Sequence, residues 1–404
     1  MLTISNFLQK KNNIDDTDYI SLTKSPIFTD VDWYEHNMIT DLNLDYQVIF
    51  HRYNLPLFNS ISKLEDIKQG KIGNCFLLTA LALLTRYPDI IDELFLSTTN
   101  GLYGIKIYYQ GIRKIIIIDN LIPSFTTKNG IRPLFAQNKN NVYWVMLLEK
   151  ALAKTMGSYG NITSGNVSDI FNFLTDSFHF NLTINTVDKN QLWELLMFYY
   201  YQNPSYIYTF GIHNTKKKYL IDNHSYGIID LTVKNNLYFL KLHNPWGFHI
   251  DESTIVKENG LINNQFTGEF WIHFDEYYQV FKHICVNQIP SNTMNTINMN
   301  DFLQNEISIG YLLELEIEIE KIPNKLYINY STYSSCNISL QLYNHDLTNL
   351  IIDSKTDNII GSISVMSDYQ SYIIKPQLTN NVRETQYWIT IFSNIPIKLS
   401  KIIL

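Results

Sequence analysis

Hydrophobic positions recur with a helical period in the first part of the chain. The segment CFLLTALALL, residues 75–84, is apolar on nearly every face, which predicts a buried helix. Pro88 stands at the first turn of a second predicted helix. VYWVMLLEKALAK predicts a third helix, in which Leu148, Ala151 and Leu152 share a face. Two β-branched runs, GLYGIKIYY and IRKIIIID, predict a hairpin between these helices. We therefore expect a mostly helical region with one hairpin.

From about residue 177 the hydrophobic pattern becomes typical of strands. The runs PSYIYTFGI, YGIIDLTV and LYFLKLHN are short, rich in β-branched and aromatic residues, and separated by polar turns. GEFWIHFDEYYQVF follows and predicts a strand end and then a short helix. This region, up to residue 289, is predicted to be an antiparallel sheet domain.

A polar segment at residues 288–300 is predicted to be a linker. Beyond it, LLELEIEIEKI alternates apolar and acidic residues, with Leu313 and Leu315 on one face and Glu314 on the other. That alternation predicts a half-buried strand with one wet face. KLYINY, ISLQLY, SYIIKP and YWITIF repeat the alternation. The carboxy-terminal part is therefore predicted to be an all-β sandwich.

The length of 404 residues exceeds what one hydrophobic core usually serves, so several domains are expected. We predict an α+β fold in four parts. These parts are an amino-terminal segment packing on the core at residues 1–50, a helical subdomain at 51–176, a β-rich subdomain at 177–290 and a β-sandwich at 291–404.

Composition and charge narrow the class of protein. Charged residues make up 17% of the chain, and the net charge is −7. This mild acidity argues against a nucleic-acid or anionic-membrane partner, because both favour a basic face. The amino terminus, MLTISNFLQKKNN, lacks the apolar run of a signal peptide. No segment approaches the roughly 20 apolar residues of a membrane span, so no transmembrane segment is expected.

The three cysteines are Cys75, Cys285 and Cys336. An odd and small number of cysteines is unlike a secreted disulfide framework. We therefore predict a cytoplasmic location, where the reducing environment leaves a cysteine available as a thiolate.

Cys75 lies where a polar, glycine-rich turn meets the predicted buried helix. Unpaired N–H groups at a helix start favour an anion and lower the pKa of a thiol there, and Asn74 is a good capping residue. A free cysteine is nevertheless more often inert packing. His224 and Asn244, taken singly, fit a strand edge and an Asn-Pro turn. Together the three follow the order Cys, His, Asn of papain-like cysteine proteases.

Six segments resemble motifs of the calpain family, in the same order along the chain. QGKIGNCFLL resembles the active-site motif of that family, NHSY its histidine motif and HNPWG its Asn-Pro-Trp-Gly motif. LLEKALAKTMGSY, IIIDNLIP and GEFWIHF match three further segments, and YIIKPQL and YWITIFS are more weakly similar to the last strands of the calpain sandwich. The resemblance implies a papain-like protease core of two subdomains followed by a calpain-type β-sandwich.

The resemblance also implies a role for each matched residue. Cys75 would be the nucleophile, and His224 would take its proton and pass it to the leaving amine. Asn244 would orient the imidazole, and Trp246 would cover that hydrogen bond. Gln69 would donate its side-chain amide to the oxyanion, alongside the backbone N–H of Cys75. This chemistry requires no cofactor.

Three positions depart from the family pattern. Phe76 replaces a tryptophan, Asn74 replaces an aspartate, and Asn223 stands where a glycine usually precedes the histidine. None of the three transfers a proton in the implied mechanism. A different backbone is expected at Asn223, because asparagine carries a Cβ atom and glycine does not.

Calcium is the metal that the resemblance implies, with one ion in each half of the protease core. Asp66 and Glu149 match two acidic ligands of the first site, and oxygen ligands suit this hard cation. At the second site, Ile250, Lys257 and Thr267 stand where acidic ligands are expected. We therefore expect one core-bound ion or none. No EF-hand pattern occurs, so the chain resembles an atypical calpain without the penta-EF-hand domain.

We predict a calpain-like intracellular cysteine endopeptidase that makes limited cuts in protein substrates. Two alternatives stay open. One is a catalytically idle scaffold that binds partners through its sandwich, and the other is an acyltransferase that uses the same triad. The physiological substrate, the cleavage preference and the oligomeric state do not follow from the sequence.

Overall fold

A computed structural model shows a mixed arrangement of helices and antiparallel sheets. The structure describes residues 39, 42, 47–59, 63–96, 101–109, 112–137, 141–201, 205–212, 220–248, 253–263, 266–290, 294–304, 309–315, 324–332, 338–344, 350–355, 361–367, 371–378 and 384–403. Cys336, Ile250 and most of the predicted amino-terminal segment lie outside these residues.

The chain forms two compact units. Unit 1 comprises Met1–Ile107, Lys114–Ile170 and Asn181–Val286, and unit 2 comprises Tyr108–Arg113, Phe171–Phe180 and Asn287–Leu404. All residues with an implied catalytic role lie in unit 1. The predicted boundary at residue 176, between the helical subdomain and the β-rich subdomain, stays a prediction.

The helices follow the apolar periodicity of the sequence. They are Cys75–Leu84 (α1), Pro88–Leu94 (α2), Trp144–Met156 (α3), Val167–Thr175 (α4), Lys189–Tyr201 (α5), Thr254–Glu258 (α6) and Phe274–Val280 (α7). α1 is buried from Phe76 onwards, as its apolar pattern predicts. Among the described residues, no helix is both long and apolar enough to cross a membrane.

Two helices differ from their predictions. α3 was expected to bury one face, but every residue from Trp144 to Ala153 is buried, including the ionisable residues Glu149 and Lys150. α5 lies in the region predicted to be β-rich. Its sequence ends in MFYYY, and aromatic residues favour strands. Leu192 and Leu196 recur with helical spacing and are buried, which explains why a helix forms instead.

The strands number β1 to β20 along the described residues. They are Ile49–Arg52, Leu102–Tyr109, Ile112–Asp119, Leu121–Thr127, Gly130–Pro133, Phe178–Thr183, Ser205–Ile212, Ser225–Lys234, Leu237–His243, Glu269–His273, Phe281–Gln288, Asn295–Gln304, Ile309–Leu315, Asn324–Thr332, Ile338–Asn344, Leu350–Lys355, Gly361–Ser367, Ser371–Leu378, Glu384–Ser393 and Ile397–Ile403.

The predicted helical subdomain at residues 51–176 is mixed rather than mostly helical. β2 pairs with β3 as predicted, but β1, β4 and β5 form a further antiparallel sheet that the pattern did not predict. β4 and β5 read LIPSFTT and GIRP. Their proline and polar residues interrupt the β-branched runs by which strands are recognised.

A six-stranded sheet, in the order β10-β9-β8-β7-β11-β6, carries the candidate base. β8 and β9 form a hairpin through Asn235 and Asn236, whose φ angles of 49° and 62° match the left-handed turn that asparagine tolerates. His224 directly precedes β8 and Asn244 directly follows β9. Antiparallel pairing, with Gly227 opposite His243, therefore brings these two residues to the same end of the sheet.

Unit 2 contains two antiparallel sheets, in the orders β12-β19-β14-β17 and β16-β15-β18-β13-β20. Buried side chains from both sheets, among them Leu313 in β13 and Ile328 in β14, form one hydrophobic cluster. β13 alternates as predicted, with Leu313 and Leu315 buried and Glu314 exposed. The rest of the predicted alternation, residues 316–320, lies outside the described residues.

The predicted linker at residues 288–300 is wrong from Asn295 onwards. Strand β11 extends to Gln288, and β12 begins at Asn295 and pairs with β19 along its whole length. β12 is polar because it is an edge strand with one face in water. Ile297 and Met299 alternate with the exposed Asn298, a period of two that the surrounding asparagines conceal.

A fully buried ion pair joins α3 to β3 in unit 1. Lys150 contacts the Asp119 carboxylate and also donates to the Leu121 carbonyl oxygen at 2.6 Å. The pair unites two of the segments that resemble the family, LLEKALAK and IIIDNLIP. A buried charge needs such a partner, because water cannot solvate it there.

Replacing Lys150 with methionine should lower the free energy of unfolding by about 3–5 kcal/mol, since it leaves the Asp119 carboxylate buried without its cation. Urea denaturation would measure the loss. Lys154→Met is the matched control on the same helix, because Lys154 is only half-buried and donates to the Ile117 carbonyl oxygen. Equal losses in the two variants would contradict a special role for the buried pair.

Candidate active site

Cys75 is the first residue of α1, as predicted, but Asn74 does not cap that helix through its side chain. The Asn74 backbone carbonyl accepts from the Leu78 N–H at 3.2 Å. Its side-chain amide instead donates to Glu149 at 2.5 Å. The predicted cap is therefore wrong, because a buried carboxyl group on α3 binds the asparagine side chain.

The expected lowering of the Cys75 pKa is also wrong. Burial raises the pKa of the Cys75 thiol above its ordinary value, and hydrogen bonds with the backbone of Ser225, Phe76 and Cys75 itself oppose that rise. The thiol is therefore protonated at neutral pH in this arrangement. A base is needed to activate it.

His224 and Asn244 form a buried pair at the open end of the β8–β9 hairpin. His224 Nε2 lies 2.9 Å from Asn244 Oδ1. The Asn244 side-chain N–H donates to the Phe248 carbonyl oxygen at 3.2 Å, and the Trp246 backbone N–H donates to Asn244 Oδ1 at 3.0 Å. These contacts fix the orientation of the amide. His224 must then donate from Nε2, which leaves Nδ1 of the neutral ring as the proton acceptor.

Aromatic rings enclose the imidazole of His224. The ring of Trp246 lies 5.1 Å away at a tilt of 59°, and the ring of Tyr226 lies edge-on at 5.0 Å. Burial lowers the pKa of His224, and the hydrogen bond to Asn244 opposes that shift. The ring is therefore neutral at pH 7 and able to accept a proton.

Two backbone features shape the ends of this hairpin. Asn223, which replaces the usual glycine, has a φ of 51°, a left-handed conformation that asparagine tolerates better than most residues with a Cβ atom. Gly268 accepts the Asn244 N–H at 2.9 Å. A Cβ on Gly268 would lie 2.4 Å from the Asn244 carbonyl oxygen, so only glycine fits there. Sequence reasoning missed Gly268, although a glycine just before a strand signals a close backbone approach.

Gln69 lies beside the Asn-Pro turn. Its backbone N–H donates to the Pro245 carbonyl oxygen at 3.1 Å, and its side-chain amide donates to the Ile72 carbonyl oxygen at 2.7 Å. Gln69 Oε1 is buried and has no hydrogen-bond partner among the described residues. The amide nitrogen carries a second hydrogen, so one N–H group remains for another acceptor.

The structure does not join the candidate nucleophile to the candidate base. Both Cys75 and His224 belong to the described residues, and no hydrogen bond links their side chains. The sulfur instead meets the backbone of Ser225, the residue after His224.

The two predicted calcium ligands are engaged by donors of the protein itself. Asp66 accepts from the Trp144 indole and from the Lys63 backbone, each at 2.9 Å. Glu149 accepts from Asn74 and from the Ala136 backbone. Burial raises the pKa of Glu149 to about 8, although these hydrogen bonds oppose the rise.

A calcium ion takes six to eight oxygen ligands, whereas Asp66 and Glu149 accept hydrogen bonds from N–H groups of the protein in this arrangement. Among the described residues, no group of three or more acidic, histidine or cysteine side chains could hold a metal. At the predicted second site, Lys257 is exposed on α6, and Glu269 pairs with Lys241. Ile250 lies outside the described residues.

Comparison with known proteins identifies the family of this chain. Residues 29–288, more than half of the chain, match the family model described as calpain family cysteine protease. The chain belongs to the calpain family. The similarity between its motifs and those of calpains, inferred from six segments, is thereby confirmed.

Individual calpains are distant relatives. The calpain-type cysteine protease DEK1 of Zea mays is 24% identical over 58% of this chain and 12% of its own length. Calpain-14 of Homo sapiens is 30% identical over 48% of this chain and 30% of its own length. Calpain clp-1 of Caenorhabditis elegans is 24% identical over 57% of this chain and 33% of its own length. The chain thus spans a third or less of these curated relatives.

Among solved structures, the cysteine protease and lectin-like domains of Cwp84 from Clostridium difficile align with 85% of this chain and 79% of that chain. The sequence identity is 10% and the TM-score is 0.25, which is too low to carry an argument.

Proposed function

We propose that this calpain-family chain is a cysteine endopeptidase that makes limited cuts in protein substrates, with Cys75, His224 and Asn244 as its triad. The family supports a protease acting on proteins. The observation that carries the proposal is the buried hydrogen bond of 2.9 Å between His224 and Asn244. Its geometry directs Nδ1 of the imidazole away from Asn244, as a base for the thiol requires.

In the proposed reaction, His224 Nδ1 takes the proton of the Cys75 thiol, and the sulfur forms a bond to the carbonyl carbon of the scissile peptide. The carbonyl oxygen becomes an oxyanion, for which the Cys75 N–H and the Gln69 amide are the donors. His224 then gives its proton to the leaving amine as the C–N bond breaks. Water, deprotonated by His224, breaks the carbon–sulfur bond of the acyl-enzyme and restores the thiol.

The proposal includes a papain-like layout, with subdomains at residues 51–176 and 177–290, and a calpain-type sandwich at 291–404. Helices α1 to α3 support the first subdomain, and the six-stranded sheet supports the second. The hydrophobic cluster shared by two sheets of unit 2 supports the sandwich. A reducing compartment is also proposed, supported by the free thiols of Cys75 and Cys285.

Two observations favour a catalytically idle scaffold. Cys75 and His224 share no hydrogen bond, and the pKa of the thiol is raised. Treatment with a peptide vinyl sulfone, followed by mass spectrometry of the Cys75 peptide and a casein cleavage assay, tests the two functions. Labelling of Cys75 together with casein cleavage supports the protease. The absence of both labelling and cleavage supports the scaffold. Labelling with transfer of the acyl group to an added amine would support an acyltransferase.

We expect calcium to change casein cleavage by less than about twofold, because N–H donors already satisfy Asp66 and Glu149. A cleavage assay with calcium or with a chelator measures the effect. Calorimetric titration of a Cys75→Ala variant should show one core-bound ion or none. Two bound ions with an absolute calcium requirement would contradict this expectation.

A further inference from the structure

Thr79 is the polar residue in an otherwise apolar stretch of α1. The buried part of that helix, Phe76 to Leu84, consists of leucine, alanine and phenylalanine apart from Thr79, whose side chain is fully buried. A buried hydroxyl group without a hydrogen bond destabilises a protein. The hydrogen-bond partner of the Thr79 hydroxyl group therefore shows which contact this residue stabilises. Thr79 Oγ1 donates to the Ser225 carbonyl oxygen at 3.2 Å.

This hydrogen bond lies on the face of α1 that also carries the candidate nucleophile. Cys75, Thr79 and Leu83 are spaced four residues apart, so they lie along one side of the helix. Ser225 and Gly227 occupy alternate positions of β8 and therefore face the same side. A Cβ on Gly227 would lie 3.0 Å from the Leu83 side chain, so the helix and strand approach closely here.

Ser225 has a second contact on this face. Its backbone hydrogen-bonds the Cys75 thiol and lowers the pKa of that group, as an N–H donor to the thiolate does. The Ser225 carbonyl is bound by Thr79 at the same time. Ser225 also directly follows His224, so the position of the Ser225 backbone constrains the position of the His224 backbone and side chain.

We propose that Thr79 is a positioning residue, whose hydroxyl group holds Ser225 so that the backbone N–H of Ser225 faces the Cys75 sulfur and the preceding residue, His224, keeps its position. This proposal rests on the proposed protease function. In this proposal, the side chain of Thr79 aligns α1, which begins at Cys75, with β8, which directly follows His224. Without this hydrogen bond, the thiolate loses a positioned donor, and α1 loses a side-chain link to the strand that directly follows His224.

Thr79→Val tests the proposal, because valine keeps the shape of threonine and removes only the hydroxyl group. We expect alkylation of Cys75 by iodoacetamide at pH 7 to slow by about threefold to tenfold, the change that one ordinary hydrogen bond is worth. The acid limb of its pH profile should move to higher pH by about 0.5 to 1 unit. In casein-peptide cleavage kcat should fall while KM changes little.

Two further variants separate positioning from helix stability. Thr79→Ser keeps the hydroxyl group and should restore the wild-type pH profile. Thr85→Val makes the same chemical change at the end of α1, where the hydroxyl group donates to the Ala82 carbonyl oxygen at 2.6 Å. It should alkylate like the wild type. If Thr79→Val does not fold by near-UV circular dichroism, Thr79→Ala removes the same hydrogen bond with less side-chain constraint.

If Thr79→Val, or Thr79→Ala where the valine variant does not fold, shows the wild-type pH profile of Cys75 alkylation, the proposal is wrong. Equal shifts in the Thr79 and Thr85 valine variants would overturn it as well, because the effect would then belong to the helix as a whole. The proposed protease function fails separately, when the wild-type chain alkylates at Cys75 yet cleaves neither casein nor peptides. Mass spectrometry of the Cys75 peptide confines the measurement to that thiol.

Discussion

Replacing Cys75 with serine should reduce casein cleavage to near background, a loss of at least about a thousandfold in kcat/KM. A serine hydroxyl has a much higher pKa than a thiol, and His224, whose own pKa is lowered by burial, cannot deprotonate it efficiently. The change replaces one atom, so the fold should persist. Kinetics of cleavage, with circular dichroism of the same samples, would measure both.

Cys285→Ser is the matched control for this experiment. Cys285 is fully buried, and its sulfur lies 3.0 Å from Ser168 Oγ, a contact that a serine hydroxyl can keep. That variant should cleave casein at close to the wild-type rate. A Cys75→Ser protein that keeps a large share of activity would show that the proposed nucleophile is wrong.

His224→Ala should lower kcat/KM by about a hundredfold to ten-thousandfold, the range of general acid–base catalysis. Asn244→Ala should cost less, because Asn244 only orients the imidazole through its 2.9 Å hydrogen bond. The expected order of activity is wild type, then Asn244→Ala, then His224→Ala, measured with a fluorogenic peptide. The opposite order would mean that base and orienting residue are wrongly assigned.

A histidine elsewhere in the same sheet provides the control for these variants. His283 lies in β11, is half-buried, and stacks on Phe210. Thr209 Oγ1 donates to its backbone carbonyl, which alanine retains. His283→Ala should therefore cleave at nearly the wild-type rate. A comparable loss in this variant would show that the sheet tolerates no histidine replacement and that the His224 result is structural.

The local parts of the candidate site could be predicted from the sequence. α1 was predicted because its residues are apolar on nearly all sides, and strands β8 and β9 because two β-rich runs are separated by a polar turn. His224 and Asn244 lie at the ends of that hairpin, so their proximity depends on a short stretch of chain. Apolar periodicity and turn chemistry act over such distances, and a single sequence contains both.

The incorrect predictions share a dependence on distant packing. Asn74 is a typical capping residue, but Glu149, 75 positions away, binds its side chain. The pKa of Cys75 depends on how deeply the thiol is buried, which the helix-start argument does not include. The Thr79 contact with Ser225 likewise spans 146 positions. No local pattern identifies such partners.

The β8–β9 hairpin also bears on the order in which the protease site forms. His224 and Asn244 are 20 positions apart, whereas Thr79 and Ser225 are separated by 146. Short loops close faster and at lower entropic cost than long ones, so the base and its amide can meet early in folding. The nucleophile joins them only when α1 docks on β8. The candidate site is therefore expected to be complete only after the two regions of the chain that carry it have docked.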